Sequence, residues 1–219
     1  MKQASLITAV LIVMAAAVAF SFHGKQGSGG IVDDSSYKYG AWLADHEHEL
    51  DSLPELLRAK ILKSIKESEN RVIEDEASLR EEFPDSALLP FKFSSKIELF
   101  DGLEGGHSVL VSNYEYTGGA HGNTRFESYN VSDGGDVPLS SLVKRPFDKV
   151  VKEIMEQLER KNGVGGYFED GLERYQSFDD FETWNIGKKG GKKVITITFP
   201  LYTVASFSKG VQVVEFDAE

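Results

Sequence analysis

The chain has no cysteine among its 219 residues. Disulfides, thiolate metal sites, cysteine nucleophiles and a lipid-accepting cysteine are therefore excluded, and the fold must rest on its own apolar core, which a chain of this length can supply. Positive charge is also scarce: 24 Lys and Arg stand against 35 Asp and Glu, a formal net charge of −11 with a pI near 5.0. That balance disfavours nucleic-acid backbones and anionic lipid surfaces as partners and favours basic ones. Catalytic and cofactor signatures are missing too. The chain has no Walker loop, no Gly-x-Gly-x-x-Gly behind a strand and no Gly-x-Ser-x-Gly elbow. Its many carboxylates offer no particular pair to choose for acid–base work.

What is present begins with a greasy leader. Residues 4–22 carry no formal charge and only Ser5, Thr8 and Ser21 as polar interruptions. This run is just long enough to span a bilayer as a helix, and Ala17-Val18-Ala19 would also suit a small-x-small cleavage site. The expected reading is a signal anchor or signal peptide over residues 1–22, with membrane contact through residues 4–22 only and the bulk of the chain outside the cytoplasm. A Gly/Ser-rich tether follows at 23–36, and the remainder, 37–219, is read as one extracytoplasmic domain with sublobes of about 37–143 and 144–219. Tyr37, Tyr39 and Trp42 would dock the entry segment onto it. The Asp45–Glu49 run, DHEHE, crowds imidazoles and carboxylates, but His46 and His48 diverge on a helix and lack a fixed third ligand on a strand, so a metal site is not expected. No cofactor is expected either.

The most informative stretch is SVLVSNYEYTGGAHGNTRFESYN, Ser108 to Asn130. Two runs rich in β-formers, Ser108–Tyr116 and Thr124–Asn130, flank a connector whose three glycines and asparagine suit the positive φ angles of a tight reversal. A hairpin is expected, with uncovered amides in its turn to which an anion or a partner's carbonyl could dock. The plainer reading is that the glycines only shape the turn and His121 packs within it. A lone histidine makes neither a triad nor a metal site. Replacing Gly119 by Val is expected to damage folding.

At these residues the chain resembles a known family. Tyr116, Gly118–His121, Phe126–Asn130, Asp133–Gly135 and Leu139–Leu142 match the aromatic strand, Gly-Gly-Ala-His turn, second strand, glycine turn and Leu-Ser-x-Leu run of the extracytoplasmic domain found in the RsiV anti-sigma factor and beside the PdaC polysaccharide deacetylase. A second family signature, strand, Pro-x-Tyr, loop, glycine and final strand, has its counterparts in Ile195–Phe199, Pro200, Tyr202, Gly210 and Val211–Phe216. Ser206-Phe207 stands where the family usually has Pro-Tyr. The resemblance spans Phe91 to Phe216 and implies binding residues at Tyr116, Gly118, Gly119, His121, Gly122, Pro200 and Tyr202. It also implies an extracytoplasmic recognition role, since the family's anti-sigma member recognises lysozyme, a basic protein. Its signalling half is not expected here, because only Met1–Ser5 would lie in the cytoplasm.

Local patterns fill in the rest. Ser52-Leu53-Pro54-Glu55 reads as a capping box opening a helix, with Leu53, Leu56, Leu57, Ile61, Ile65, Val72 and Ile73 at helical spacing up to Phe83-Pro84 and a bend at Ser68-Glu69-Asn70. Phe91, Phe93, Ser95, Ile97 and Leu99 alternate as a half-buried strand. Phe147, Val150, Val151, Ile154, Met155 and Leu158 make a second amphipathic helix closed by Asn162-Gly163, and Tyr167–Tyr175 holds a short helical turn. Phe181–Ile186 and Lys193–Phe199 flank GKKGGK as a second hairpin, whose Lys188, Lys189, Lys192 and Lys193 read as a solvated basic tip rather than an anion site.

The expected fold class is α+β: mostly antiparallel sheets of hairpins packed by two amphipathic helices, after an N-terminal hydrophobic segment. The expected function is a membrane-tethered extracytoplasmic binding or sensing module of the bacterial envelope without a defined catalytic activity. Its partner would be a basic envelope or extracellular protein, lysozyme-like, or a cell-wall fragment, and no nucleic acid. A cell-wall hydrolase with a site around His121 is the alternative, and a passive structural domain the third.

Overall fold

A computed structural model of the chain describes residues 50–84, 91–133 and 135–219. The leader, the tether, the aromatic entry segment and the DHEHE run lie outside these residues. Helix α1 (Glu55–Glu82) is followed by strands β1 (Lys92–Phe100), β2 (Gly106–Tyr116), β3 (Asn123–Ser132) and β4 (Gly135–Asp136). Then come α2 (Phe147–Asn162), the short α3 (Glu169–Glu173) and strands β5 (Trp184–Lys189), β6 (Lys192–Phe199) and β7 (Gln212–Asp217). The strands form two antiparallel sheets in sequence order, β1-β2-β3-β4 and β5-β6-β7, so the class is α+β. Among the described residues no helix is long and apolar enough to cross a membrane, and no group of three or more His, Asp and Glu side chains is placed to hold a metal ion.

Each sheet has its own helix and its own apolar cluster. Leu57, Ile61, Ile65 and Val72 of α1 recur every three to four residues up to a gap at Ser68 and pack with Phe93 of β1, Val109 and Val111 of β2 and Tyr129 of β3. Val150, Ile154 and Leu158 of α2 cover Trp184, Ile186, Ile195, Ile197, Phe199, Val214 and Phe216 of the second sheet. Gly163 ends α2 with φ 84°, as its Asn-Gly signal predicts. Two glycines with positive φ, Gly190 and Gly191, make the two-residue reversal between β5 and β6.

Four local expectations are corrected. The Ser52-Glu55 capping box does not form: Pro54, extended at ψ 142°, is the residue before the helix, and no side chain caps it. Proline disfavours helical backbone at the residue before it, so Leu53 cannot join and the helix starts after the proline. The bend at Ser68-Glu69-Asn70 is absent, because α1 runs unbroken and Ser68 and Glu69 are buried in its inward stripe. There Ser68 Oγ lies 3.4 Å from Asn113 Nδ2, and Ser95 Oγ donates to Asn113 Oδ1 at 2.6 Å. Leu56 and Ile73, assigned to the apolar stripe, are exposed. Phe181 also falls outside its predicted strand, for it stacks on Tyr175 at 4.5 Å and meets Phe199 edge-on.

The two sheets meet through polar groups. Ser108 of β2 and Asn130 of β3 point away from α1, and Ser108 Oγ donates to Asn130 Oδ1 at 2.6 Å while Asn130 Nδ2 donates to Trp184 O at 2.8 Å. The Asn185 amide and the Ile186 N–H both reach Ser108 Oγ, and Ser128 Oγ donates to Asn185 Oδ1. Gly102 donates its N–H to Ile186 O at 3.1 Å, and a Cβ on Gly102 would lie 2.7 Å from the β5 backbone. This seam fixes the first hairpin against the second sheet and so positions the hairpin's turn.

Candidate functional site

The β2–β3 ladder closes at Glu115↔Asn123, leaving residues 117–122 as the turn. Among its glycines only Gly118 has positive φ, 81°, and a Cβ there would also press on the Phe91 ring at 3.2 Å. At Gly122 a Cβ would run into the Tyr114 ring. Gly119 is unconstrained, with nothing nearer its Cβ position than His121 O at 3.9 Å. The expected folding role of Gly119 is therefore corrected: Gly118, with its positive φ, carries the turn's demand for glycine. The turn's residues 118–121 are exposed and follow a bend with no backbone hydrogen bond, so the amides of Gly118, Gly119 and Ala120 have no protein acceptor among the described residues.

The second family-signature segment forms a held loop. Pro200 O accepts from Thr203 N–H at 3.2 Å, and Tyr202, the third residue of that reversal, has φ 63°, a left-handed conformation unusual for a bulky residue. Val204 O accepts from Phe168 N–H at 2.7 Å, and Gly171 leaves no room for a Cβ against Thr203 O. Further on, Phe207–Lys209 is a 3-10 turn ended by Gly210 at φ 70°. Buried Gln212 pins it: its Nε2 donates to Lys209 O at 2.7 Å and Gly210 O at 3.2 Å while its Oε1 accepts from Asn162. Lys209 Nζ adds a bond to Asn162 O.

The two segments touch. The His121 ring stacks on Phe207 with centroids 3.8 Å apart and 23° between planes, and Tyr202 lies over Phe207 at 5.7 Å and 32°. The result is a run of three nearly parallel rings, of which His121 is exposed and Tyr202 is 59 % exposed. Of the residues expected at a site, the structure brings His121 and Tyr202 to this run, with Gly118, Gly119 and Gly122 shaping the turn beneath His121 and Pro200 shaping the loop beneath Tyr202. Tyr116, half-buried at the end of β2, makes no ring contact among the described residues. Phe207 is the residue the sequence reading missed as a site member; it stood there only as a departure from Pro-Tyr. Its aromatic ring at that place was the available signal.

Chemically the arrangement is a surface for contact. His121 Nδ1 lies 3.2 Å from Gly122 O, so its N–H donates to that carbonyl and the ring is oriented by the turn itself. Among the described residues no hydroxyl or carboxylate hydrogen-bonds to it.

The basic hairpin tip is paired rather than open. Lys189 reaches Glu215 at 2.7 Å, Lys192 reaches Asp217 at 2.9 Å and Lys193 reaches Glu104 at 3.0 Å. These partners hold Lys189 and Lys192 protonated above the ordinary lysine range and Glu104 below the ordinary carboxylate range. A shallow groove of about 490 Å³ beside it is lined by Arg145, Glu153, Glu215 and Asp217, and one of about 310 Å³ by Asp75, Leu79, Phe91 and Thr117. Neither includes the three rings.

With the α+β fold and the ring run in place, the chain can be set beside known proteins. No protein-family model matches it, and no curated protein matches it. Among solved structures it is similar to a member of the DUF3298 family from Bacteroides fragilis, at 16% identity and a TM-score of 0.45, covering 80% of this chain and 71% of that one. It is also similar to a DUF3298 family protein from Pseudomonas aeruginosa, at 16% identity and a TM-score of 0.39, covering 64% of this chain and 65% of that one. Both neighbours carry an uncharacterised domain, and overlap of this degree assigns neither a family nor an activity to this chain.

Proposed function

We propose that the chain is an extracytoplasmic binding or sensing module of the bacterial envelope, tethered by residues 4–22, whose ligand docks on the rings of His121, Phe207 and Tyr202. One observation carries the reading: two segments singled out separately in the sequence, far apart in the chain, are held in ring contact at an exposed place by a rigid loop and a glycine turn. Exposed aromatic rings on ordered backbone are the usual anchors of recognition surfaces, because they offer area with little conformational entropy to lose. The RsiV-like motifs and the acidic charge favour a basic envelope or extracellular protein as partner, and a wall fragment is the other candidate.

The test uses the full chain in detergent micelles against labelled basic proteins and muropeptides. Binding is expected and should weaken about tenfold in Phe207→Ala, the loss of one well-packed ring. Ester, amide and glycan hydrolysis abolished by His121→Ala would replace this reading with the hydrolase one. Placement is checked separately by a carboxyl-terminal alkaline phosphatase fusion, expected to be active; an inactive fusion that is stable in the cytosol would overturn the tether.

A further inference from the structure

We propose that the β3 edge beside the turn is where a basic partner is held, an extended segment of that partner pairing with β3 as an added strand. The inference rests on the binding reading above for the class of partner and adds how the partner is engaged. The Asn130 carbonyl accepts from Val137 N–H at 2.8 Å, so the even-numbered residues of β3 direct their backbone away from β2. The two-residue β4 pairs only with Val131 and Ser132. That leaves the N–H and C=O groups of Thr124, Phe126 and Ser128 with no hydrogen-bond partner among the described residues.

The second sheet closes its own edges. On β7, Gln157 accepts from Glu215 N–H and donates to Glu215 O, and Lys161 donates to Val213 O. On β5, the Ile186 and Lys188 N–H groups donate to Ser108 and Asp101, and Trp184 O and Ile186 O accept from Asn130 and Gly102. In the first sheet the far edge, β1, carries exposed Lys92 and Lys96, residues of the kind that oppose a further strand. From Asn123 to Ser128, β3 has no lysine, proline or bulge, and Arg125 is engaged by Glu115 at 3.3 Å. An unguarded edge of this kind is what strand addition uses, with backbone bonds giving affinity and flanking side chains giving selectivity.

The charge on this edge names the occupant. Glu127 is half-buried, and Ser64 Oγ donates to its Oε1 while Tyr129 Oη donates to its Oε2, both at 2.6 Å. Two hydroxyls thus orient the carboxylate, and the nearby lysines of α1 are engaged elsewhere, Lys60 with Asp136 at 3.9 Å and Lys63 with Glu67 at 3.7 Å. Because Glu127 turns its own backbone toward β2, it stands at a non-hydrogen-bonded position of an added antiparallel ladder, where opposed side chains approach closest. A Lys or Arg of the added strand meets it there, and the net charge of −11 draws such a partner in. His121 stands three residues before Thr124, so a segment on this edge ends beside the turn that carries the ring stack.

The full chain in detergent micelles is titrated with the peptide Thr-Val-Thr-Arg-Thr-Val-Thr, with the same peptide carrying Glu in place of Arg, and with a fully N-methylated form that cannot donate to a strand. Amide exchange is followed by NMR. The arginine peptide is expected to slow exchange at Thr124, Phe126 and Ser128 and to leave Arg125 and Glu127, already in the β2 ladder, unchanged. It should bind about tenfold more tightly than the glutamate peptide and lose about threefold in affinity for Glu127→Gln, and the N-methylated form should not bind. No protection, protection without this alternation, equal affinity for the arginine and glutamate peptides, or binding of the N-methylated form overturns the inference. So does protection of the three amides before any peptide is added, which in a monomer assigns the edge to the chain's own remaining residues and in a dimer to a second copy. If a basic protein binds in a Phe207-dependent way while no peptide pairs, only the strand site falls. If the peptide pairs and Phe207→Ala leaves binding of the basic protein unchanged, the ring site falls and the strand site stands.

Discussion

Whether a glycine can be replaced is decided by what its missing side chain would touch, and the turn at 117–122 separates its glycines on that ground. At Gly118 a Cβ would meet the Phe91 ring on a backbone at φ 81°, while one on Gly119 meets only open surroundings. Gly118→Ala is therefore expected to cost about 1–2 kcal/mol, the range for a side chain held in the left-handed region, and Gly119→Ala to stay within about 0.5 kcal/mol of wild type. Urea unfolding of the two variants measures both; equal losses would contradict the steric account. The sequence made the turn legible, since TGGAHGN between β-formers has few other readings. It did not show which glycine is obligatory, because that depends on the backbone angle at Gly118 and on where Phe91 comes to rest. Nor did it show Phe207 under His121: a ring contact between residues so far apart leaves no local pattern, and only the family resemblance marked both segments.

At the scale of elements, period and punctuation were readable and capping was not. The stripes of α1 and α2, the Asn-Gly stop at Gly163 and the glycine reversal of β5–β6 follow from side-chain spacing and backbone freedom alone. The start of α1 was misread because two valid local signals compete over the same four residues, and the backbone restriction before Pro54 outweighs one serine hydrogen bond. Ser52→Ala should accordingly change stability by no more than about 0.5 kcal/mol, against about 1 kcal/mol for a working cap, as measured by thermal or urea unfolding.

The lysine hairpin likewise read as an open basic tip because its partners, Glu215 and Asp217 on β7 and Glu104 before β2, are distant in sequence. Its pairing sets the pH response. Lys189 and Lys192 have folded values raised by their hydrogen-bonded carboxylates, so their contribution is complete below the ordinary lysine value of 10.5 and is lost as pH rises through the folded values. Glu104 is lowered by Lys193 and Asp180 by the amides of Gln176 and Ser177, so their contribution is present above the ordinary carboxylate values of 4.5 and 3.8 and is lost as pH falls through the folded ones. Asp180→Asn should thus narrow the gap to wild type only at acid pH, with a constant difference from neutrality down to about pH 5. A gap that is independent of pH down to pH 2 would assign the Asp180 contribution to the neutral hydrogen bonds alone.

For the molecule as a whole, the decisive feature is that two apolar cores are joined by a polar seam. Ser108, Asn130 and Asn185 are buried, yet in sequence they look like the polar half of ordinary strand alternation, so nothing distinguished them from solvent-facing positions. Asn130 is one of the links between the sheets, beside the bonds that Asn185 and Ile186 make to Ser108: it accepts from Ser108 within the first and donates to Trp184 O in the second. Asn130→Ala leaves the Trp184 carbonyl without this donor in a buried place, a loss of about 1–3 kcal/mol. More telling is how the loss is distributed, since neither core is itself altered. In the wild type the amides of β2–β3 and β5–β6 are expected to exchange with hydrogen isotope at one shared free energy of opening, as a single cooperative unit does. In Asn130→Ala the two sets should separate, each sheet then opening with its own helix. Native-state hydrogen exchange reads this directly. If both sets fall together by the same amount, the seam merely adds stability and the cores are coupled elsewhere, through Gly102 and its close approach to the β5 backbone.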